Sequence, residues 1–579
     1  MPSAVIVIVS FIAFGLGYRY YSKYLAERVY RLEEDFRTPS YEFRDGVDFV
    51  PTNKHVLFGH HFTSIAGAAP IVGPAIAVVW GWLPALVWIV LGTIFASGAH
   101  DFGSIVISVR HRARNIGTIA QDVISNRART LFLLIIFFLL TLVVAVFAIV
   151  ISNLFMANPE VVIPVLAQIP IAIGLGQVIY RRRTAALLPS LIAVVVLYAT
   201  LPLGEAIPLD ITPLAEATGI GFFANEPANL WVVLLFLYSG VASRIPVWVL
   251  LQPRDYINSH QLLIALAVIF LGVLVGFDTM EAPAVNTDMP DDAPWVFPFL
   301  FVTIACGAIS GFHSLVSSGT TSKQLAKETD ARWVGYMGSL GEGSLALGAV
   351  MAVTAGLAVA GVDWNEAYGT FQAADAGAVG NFVTGVGGLA SNIGVPLGLG
   401  AVFASLIVIA FAATTLDTGL RLERYVVQEI AEIAGARRVA RNLNLVTVVA
   451  TAIPLSLALF RELAFERLWI LFGTMNQLTA GLALSVIAVW LISKRRNALA
   501  AIIPLAFLLA MTIFALLLNS WDFLTEGDVF TQTILLPLNL IILGLAVWVV
   551  IEAVTALRRL RLARAREDEP VAGMPASDE

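Results

Sequence analysis

Cysteine is almost absent: Cys306 is the only one in 579 residues. A single thiol excludes an intrachain disulfide and a cysteine-built metal cluster. Charge is scarce too. Asp, Glu, Lys and Arg make up 13% of the chain, against about 25% in a typical soluble protein. The formal net charge of −6 offers no footprint for a nucleic-acid partner. No GxxxxGK[ST] phosphate loop occurs, so energy for any solute movement has to come from an ion gradient. Long polar stretches are missing as well, which leaves no room for a soluble output domain.

What is present is hydrophobic. Apolar residues account for 58% of the chain, the mean hydropathy is +0.84, and runs of about 20 apolar residues recur from one end to the other, the length of a bilayer-crossing helix. These features predict an all-α polytopic membrane protein. The first run, Val5 to Gly17, lacks a basic region before it and a small-residue cleavage site after it, so it is expected to be a retained helix. About fifteen crossings are expected. Alternate loops carry the basic groups Arg19 to Arg31, Arg110 to Arg114, Arg181 to Arg183 and Lys323 to Arg332, while the loops between them carry Glu205 to Glu226 and Asp278 to Asp292. By the positive-inside rule the N-terminus is expected outside and the C-terminus in the cytoplasm. Residues 1–566 read as one transmembrane domain and 567–579 as a disordered tail.

Two stretches break the pattern. Phe58 to Pro74 reads FGHHFTSIAGAAPIVGP, and Ala305 to Thr321 reads ACGAISGFHSLVSSGTT. Proline and glycine interrupt a helix, and at membrane depth an interruption is tolerated only where protein or a water-lined cavity satisfies the backbone, which makes it a solute-site marker. The first enters from the cytoplasm and the second from outside, so they are expected to run antiparallel, as equivalent helices of inverted repeats do.

Together with WGWLPALVWIVLGTIFASGAHDF (Trp80 to Phe102), LQPRDY (Leu251 to Tyr256), SGFHSLVSSGTTSKQL (Ser310 to Leu325), LDTGLRLERY (Leu416 to Tyr425) and LFGTMNQL (Leu471 to Leu478), the first broken stretch resembles the carbon starvation protein A family. The resemblance implies a bacterial inner-membrane uptake carrier for peptides or small carboxylates such as pyruvate, driven by protons. It also implies relation to the amino acid-polyamine-organocation superfamily, with leucine-transporter-like inverted repeats and additional helices. The longer C-terminal part of some members is not expected here.

The residues themselves suggest roles. Ser64, Ala66, Gly67, Ala68 and Pro70 at the first break, and Ser310, Gly311, His313, Ser314 and Ser317 at the second, are candidate substrate-binding positions. A half-helix N-terminus there favours a carboxylate and unwound carbonyls favour an amine; close helix packing is the competing reading. His60, His61, His100, Asp101 and Glu342 are candidates for proton coupling, because histidine titrates near neutrality and an intramembrane carboxylate is rarely left unpaired. Backbone capping is the competing reading for the histidines. The set His60, His61, His100 and Asp101 is also a candidate metal site; no other cofactor is expected. Asp417 and Arg421, spaced i, i+4, are expected to pair. Asn476 is a structural polar residue, and Arg254 and Asp255 are expected to pin or gate a cytoplasmic loop. The expected partners are the small-molecule substrate, a proton and the lipid bilayer. The function expected is secondary active transport, not enzymatic; a channel, a membrane-embedded sensor or a metal-dependent membrane enzyme are the alternatives.

Overall fold

The computed structural model describes residues 1–45, 48–181, 186–246, 248–459, 465–525 and 527–567. The tail expected to be disordered, beyond Glu567, and Arg182 and Arg183 lie outside the described residues. Within them there is no β-strand, only two isolated bridges, Pro2 with Thr279 and Thr52 with Leu325. This follows from the solvent: hydrocarbon offers no hydrogen bonds, so each segment must satisfy its own backbone.

The helices are α1 (Ser3–Tyr30), the bent pair α2 (Lys54–Ile65) and α3 (Ala69–Trp80), α4 (Trp82–Arg110), α5 (Asn126–Ala157), α6 (Pro159–Ile179), α7 (Leu187–Ala206), α8 (Ala228–Ala242) and α9 (Leu251–Gly276). Then come α10 (Val296–Thr303) and α11 (Phe312–Val316). The series continues with α12 (Glu328–Val359), α13 (Phe371–Ser391), α14 (Leu397–Ile433), α15 (Leu443–Ala458), α16 (Arg467–Ser493), α17 (Leu499–Thr525) and α18 (Thr531–Arg559). Eleven helices among the described residues are long and apolar enough to cross a membrane, or twelve with α2–α3 as one span. The other three predicted crossings fall on the shorter helices α8 and α15 and on the interrupted segment α10–α11.

Helix α13 is absent from the sequence-based expectation. Its 21 residues include five glycines, which dilute the apolar signal. Two of them let backbones touch: a Cβ on Gly385 would lie 2.0 Å from the Ala352 carbonyl oxygen, and one on Gly388 2.2 Å from that of Gly356. At the start of α13, Phe371 N–H and Gln372 N–H donate to Asp292; just past its end, Asn392 donates to Asp278. Both ends are tied to one acidic loop, so α13 lies across that end of the bundle without adding a crossing.

That acidic end also receives the N-terminal residues, where Ser3 N–H donates to Asp278 O. The opposite end is basic. Arg110 there pairs with Glu328 at 2.6 Å and reaches the carbonyls of Tyr30 and Arg31. Ser125, at the start of α5, bonds Glu552 near the end of α18. Helices α12 and α16 are the most enclosed, whereas α7 and α18 present leucine, valine and isoleucine outward, a lipid-facing surface that water would not tolerate.

Candidate functional site

The two broken segments meet. Thr52 N–H, just before α2, donates to Gln324 O beyond α11 at the basic end. At the acidic end Trp80 Nε1 donates to Pro294 O at 2.9 Å. The segments therefore run antiparallel, as their sequence context predicts. Midway they abut: a Cβ on Gly73 would lie 2.3 Å from Thr303 O, and one on Gly307, whose φ is +96°, would lie 2.7 Å from Ala346 Cβ and 3.5 Å from Pro70. Only glycine combines that close approach with that backbone conformation. The first break is Ala66 to Ala68, where the chain turns by 51°. The second is the irregular stretch from Ile304 to Gly311.

The breaks are satisfied differently. Asn476 on α16 fills the second: its Oδ1 accepts from Ser310 Oγ and Phe312 N–H, both at 3.1 Å, its carbonyl accepts from Gly311 N–H, and its Nδ2 donates to Cys306 Sγ. The first has no such cap. The Ala68 and Ala69 N–H groups at the start of α3 make no hydrogen bond among the described residues, and orphan donors of this kind make a helix N-terminus receptive to anions. Ser64 and Ser314 spend their hydroxyls on backbone carbonyls, of His60 and Gly311 respectively.

Beside the breaks lies a buried charged centre. The Nδ1 atoms of His100 and His313 donate to the two oxygens of Asp101, each at 2.7 Å, and Ser339 Oγ donates to the same carboxylate at 2.6 Å. The other face of His313 points to the second carboxylate: Nε2 lies 3.2 Å from Glu342 Oε1, near enough for an ion pair but not aligned as a hydrogen bond. His100, Asp101 and His313 have no exposure and Glu342 has 1%. Two bare carboxylates sealed in this way are costly unless a proton or cation neutralises charge between them.

The sequence-predicted residues separate accordingly. His100, Asp101, His313 and Glu342 converge. His61 stands near them, bonded through Nδ1 to Thr321 Oγ1 at 2.8 Å, but His60 turns away to Asp255, 3.5 Å distant. With the two adjacent histidines on different partners, the candidate metal quartet is not assembled, and among the described residues no group of His, Cys, Asp or Glu side chains is placed to hold a metal ion. The Asp417–Arg421 pair does not form. Asp417 binds Arg254 at 2.5 Å and also Tyr238 and Ser239, while Arg421 donates to the carbonyls of Ala242 and Ile245. The reason is that α14 runs to Ile433, so position 417 is deep in a helix facing α8 and α9. Arg254 and Asp255 are likewise not in a loop; they sit in the first turns of α9, 2% and 3% exposed.

Sequence reasoning missed Ser339 and Thr321. A signal existed for Ser339, three residues before Glu342 and so on the same helix face. Another signal is conformational and invisible in sequence. Three of the eight widened π turns among the described residues, Gly92–Ser97, Ser317–Thr321 and Arg332–Tyr336, lie beside His100, His313 and Ser339 respectively, and such turns are frequent at functional sites.

Antiparallel broken helices around a buried acid–histidine centre define a multi-pass helical membrane protein of the solute-carrier class. Residues 2–361 and 356–515 match the family described as carbon starvation protein CstA, so the chain belongs to the CstA family. The peptide transporter CstA of Mycobacterium tuberculosis H37Rv is 34% identical over 590 aligned positions, covering 90% of this chain and 75% of that one. The pyruvate/proton symporter BtsT of Escherichia coli K12 is 36% identical over 358, covering 60% and 48%. Among solved structures, MhsT in complex with L-phenylalanine aligns over 87% of this chain and 99% of that one, with 12% identity and a TM-score of 0.47.

Proposed function

We propose that the protein is a proton-coupled importer of peptides or of small carboxylates such as pyruvate. The observation that carries this reading is His313, two residues past the second break, held between Asp101 and Glu342. Taking up or losing one proton there changes the charge between two carboxylates, and the change is felt directly by the segment that shapes the site. The substrate carboxylate is received by the free N–H groups of Ala68 and Ala69, because Asn476 already occupies the equivalent groups of the second break. Related names support the substrate class: one relative is a peptide transporter and another a pyruvate/proton symporter. The antiparallel broken helices are assigned to two inverted repeats. The basic end faces the cytoplasm of a bacterial inner membrane by the positive-inside rule, which places the N-terminus outside and the end of α18 inside.

Uptake of labelled pyruvate and labelled alanyl-alanine into proteoliposomes, under an inward proton gradient or an inward sodium gradient, tests the proposal. Accumulation of at least one substrate under the proton gradient alone is expected. Accumulation only with sodium refutes the coupling, and no accumulation under either gradient refutes the assignment.

A further inference from the structure

The buried side-chain atoms around the charged centre that make no hydrogen bond include His61 Nε2, His100 Nε2, Ser104 Oγ and Ser317 Oγ. All four residues are fully buried. In folded proteins such atoms are nearly always bonded to protein or to ordered water. Two of the four lie along one line. His313, Ser317 and Thr321 follow at intervals of four residues, so they stack on one face of the inner half of the second broken segment, through the π turn Ser317–Thr321. His313 binds Asp101 at the deep end, Thr321 binds His61 at the other, and Ser317 lies between with its hydroxyl unbonded. Beyond Thr321 the basic end opens. His60, next to His61, and Gln324, three residues past Thr321, line a cavity of about 520 Å³ together with Gln252 and Tyr256, where His60 faces Asp255.

We propose that Ser317, Thr321 and His61 form the inward proton route, a short file of buried waters and hydroxyls joining the His313 centre to the cavity at His60. Each hydroxyl, water or imidazole accepts a proton from one neighbour and releases one to the next, so one proton moves inward per cycle and no other bond changes. The inference rests on the proton-coupled reading above and adds to it the path by which the proton leaves. In this scheme Thr321 and Ser317 are positioning residues for the proton; Ser317, a substrate-binding candidate from its sequence context, is reassigned to the proton route because its buried hydroxyl lies between His313 and Thr321 and away from the free N–H groups of Ala68 and Ala69.

The test uses the full chain in proteoliposomes, with labelled pyruvate and labelled alanyl-alanine as probes and an internal pH dye. Gradient-driven accumulation, substrate-linked internal acidification and gradient-free substrate exchange are followed for Thr321→Val, Ser317→Ala and Thr321→Ser. We expect Thr321→Val to lower accumulation and acidification at least tenfold with exchange within twofold of wild type, Ser317→Ala to act in the same direction, and Thr321→Ser to restore both. Accumulation within twofold of wild type in both Thr321→Val and Ser317→Ala overturns the route, and so does loss of exchange in parallel with accumulation in both. A wild-type protein that exchanges substrate but never acidifies the interior overturns the proton-coupled reading itself, an outcome distinct from variants that behave like an acidifying wild type.

Discussion

Replacing Asp101 with asparagine keeps the shape of the charged centre and removes its charge. Asp101 accepts three short hydrogen bonds, from His100, His313 and Ser339. Bonds to an ionised group contribute about 1.5–3 kcal/mol and neutral ones about 0.5–1.5 kcal/mol. Converting three of them costs about 3 kcal/mol, and the new amide N–H₂ also faces an imidazole N–H that was donating. Asp101→Asn is therefore expected to fold with reduced stability, and its centre no longer offers His313 a charged partner on α4. Function is the sharper readout. Symport of one proton per substrate across a gradient of one pH unit supports about tenfold accumulation, since about 1.4 kcal/mol corresponds to a factor of ten. The variant should bring internal and external substrate to equal concentration, a ratio of about one, while still exchanging labelled for unlabelled substrate. Thermal unfolding in nanodiscs confirms that the protein remains folded. A folded Asp101→Asn protein that accumulates substrate as the wild type does would refute the reasoning, because it would show that the coupling charge lies elsewhere.

Removing one partner of the buried Arg254–Asp417 pair, in Arg254→Met or Asp417→Leu, is expected to cost about 3–5 kcal/mol, and the double replacement much less than the sum; additive losses in nanodisc unfolding would show that the pair is not coupled. Gly73→Ala drives a methyl onto the Thr303 carbonyl and should separate the broken segments, lowering stability by about 1–3 kcal/mol and raising the KM for uptake; an unchanged KM counts against the abutting breaks as the substrate site. Asn476→Leu leaves Phe312 N–H buried and without its acceptor, a loss of about 1–3 kcal/mol, read as a lower unfolding temperature, whereas Asn476→Asp should be milder because it keeps an acceptor; equal effects would mean that the cap is unimportant.

Much of the architecture was legible in the sequence. Apolar runs located the helices because a bilayer imposes one length and one backbone solution, and proline and glycine located both breaks because each disrupts helix geometry by itself. The alternation of basic and acidic loops matches a basic end at Arg110 and an acidic end at Asp278. Helix α13 escaped because glycines that permit backbone contact with Gly356 also lower hydropathy. The limits at the site have a similar cause. His100, Asp101, His313 and Glu342 could be named as costly polar residues inside apolar runs, since that cost is a property of the residue and its surroundings along the chain.

What they bind was settled only by folding. Which carboxylate faces which imidazole depends on the rotation of α4, α11 and α12 about their axes, and π turns that no residue pattern announces alter those rotations. The same holds for Arg254: a helix-spaced partner for Asp417 stood at Arg421, but the packing of α9 against α14 gave it one from 163 positions away. Sequence by itself determined the class of solvent, the helices and the places where they break. Tertiary packing decided which charges meet, because hydrophobic pattern fixes the side of a helix that is buried and leaves its contacts to the neighbours.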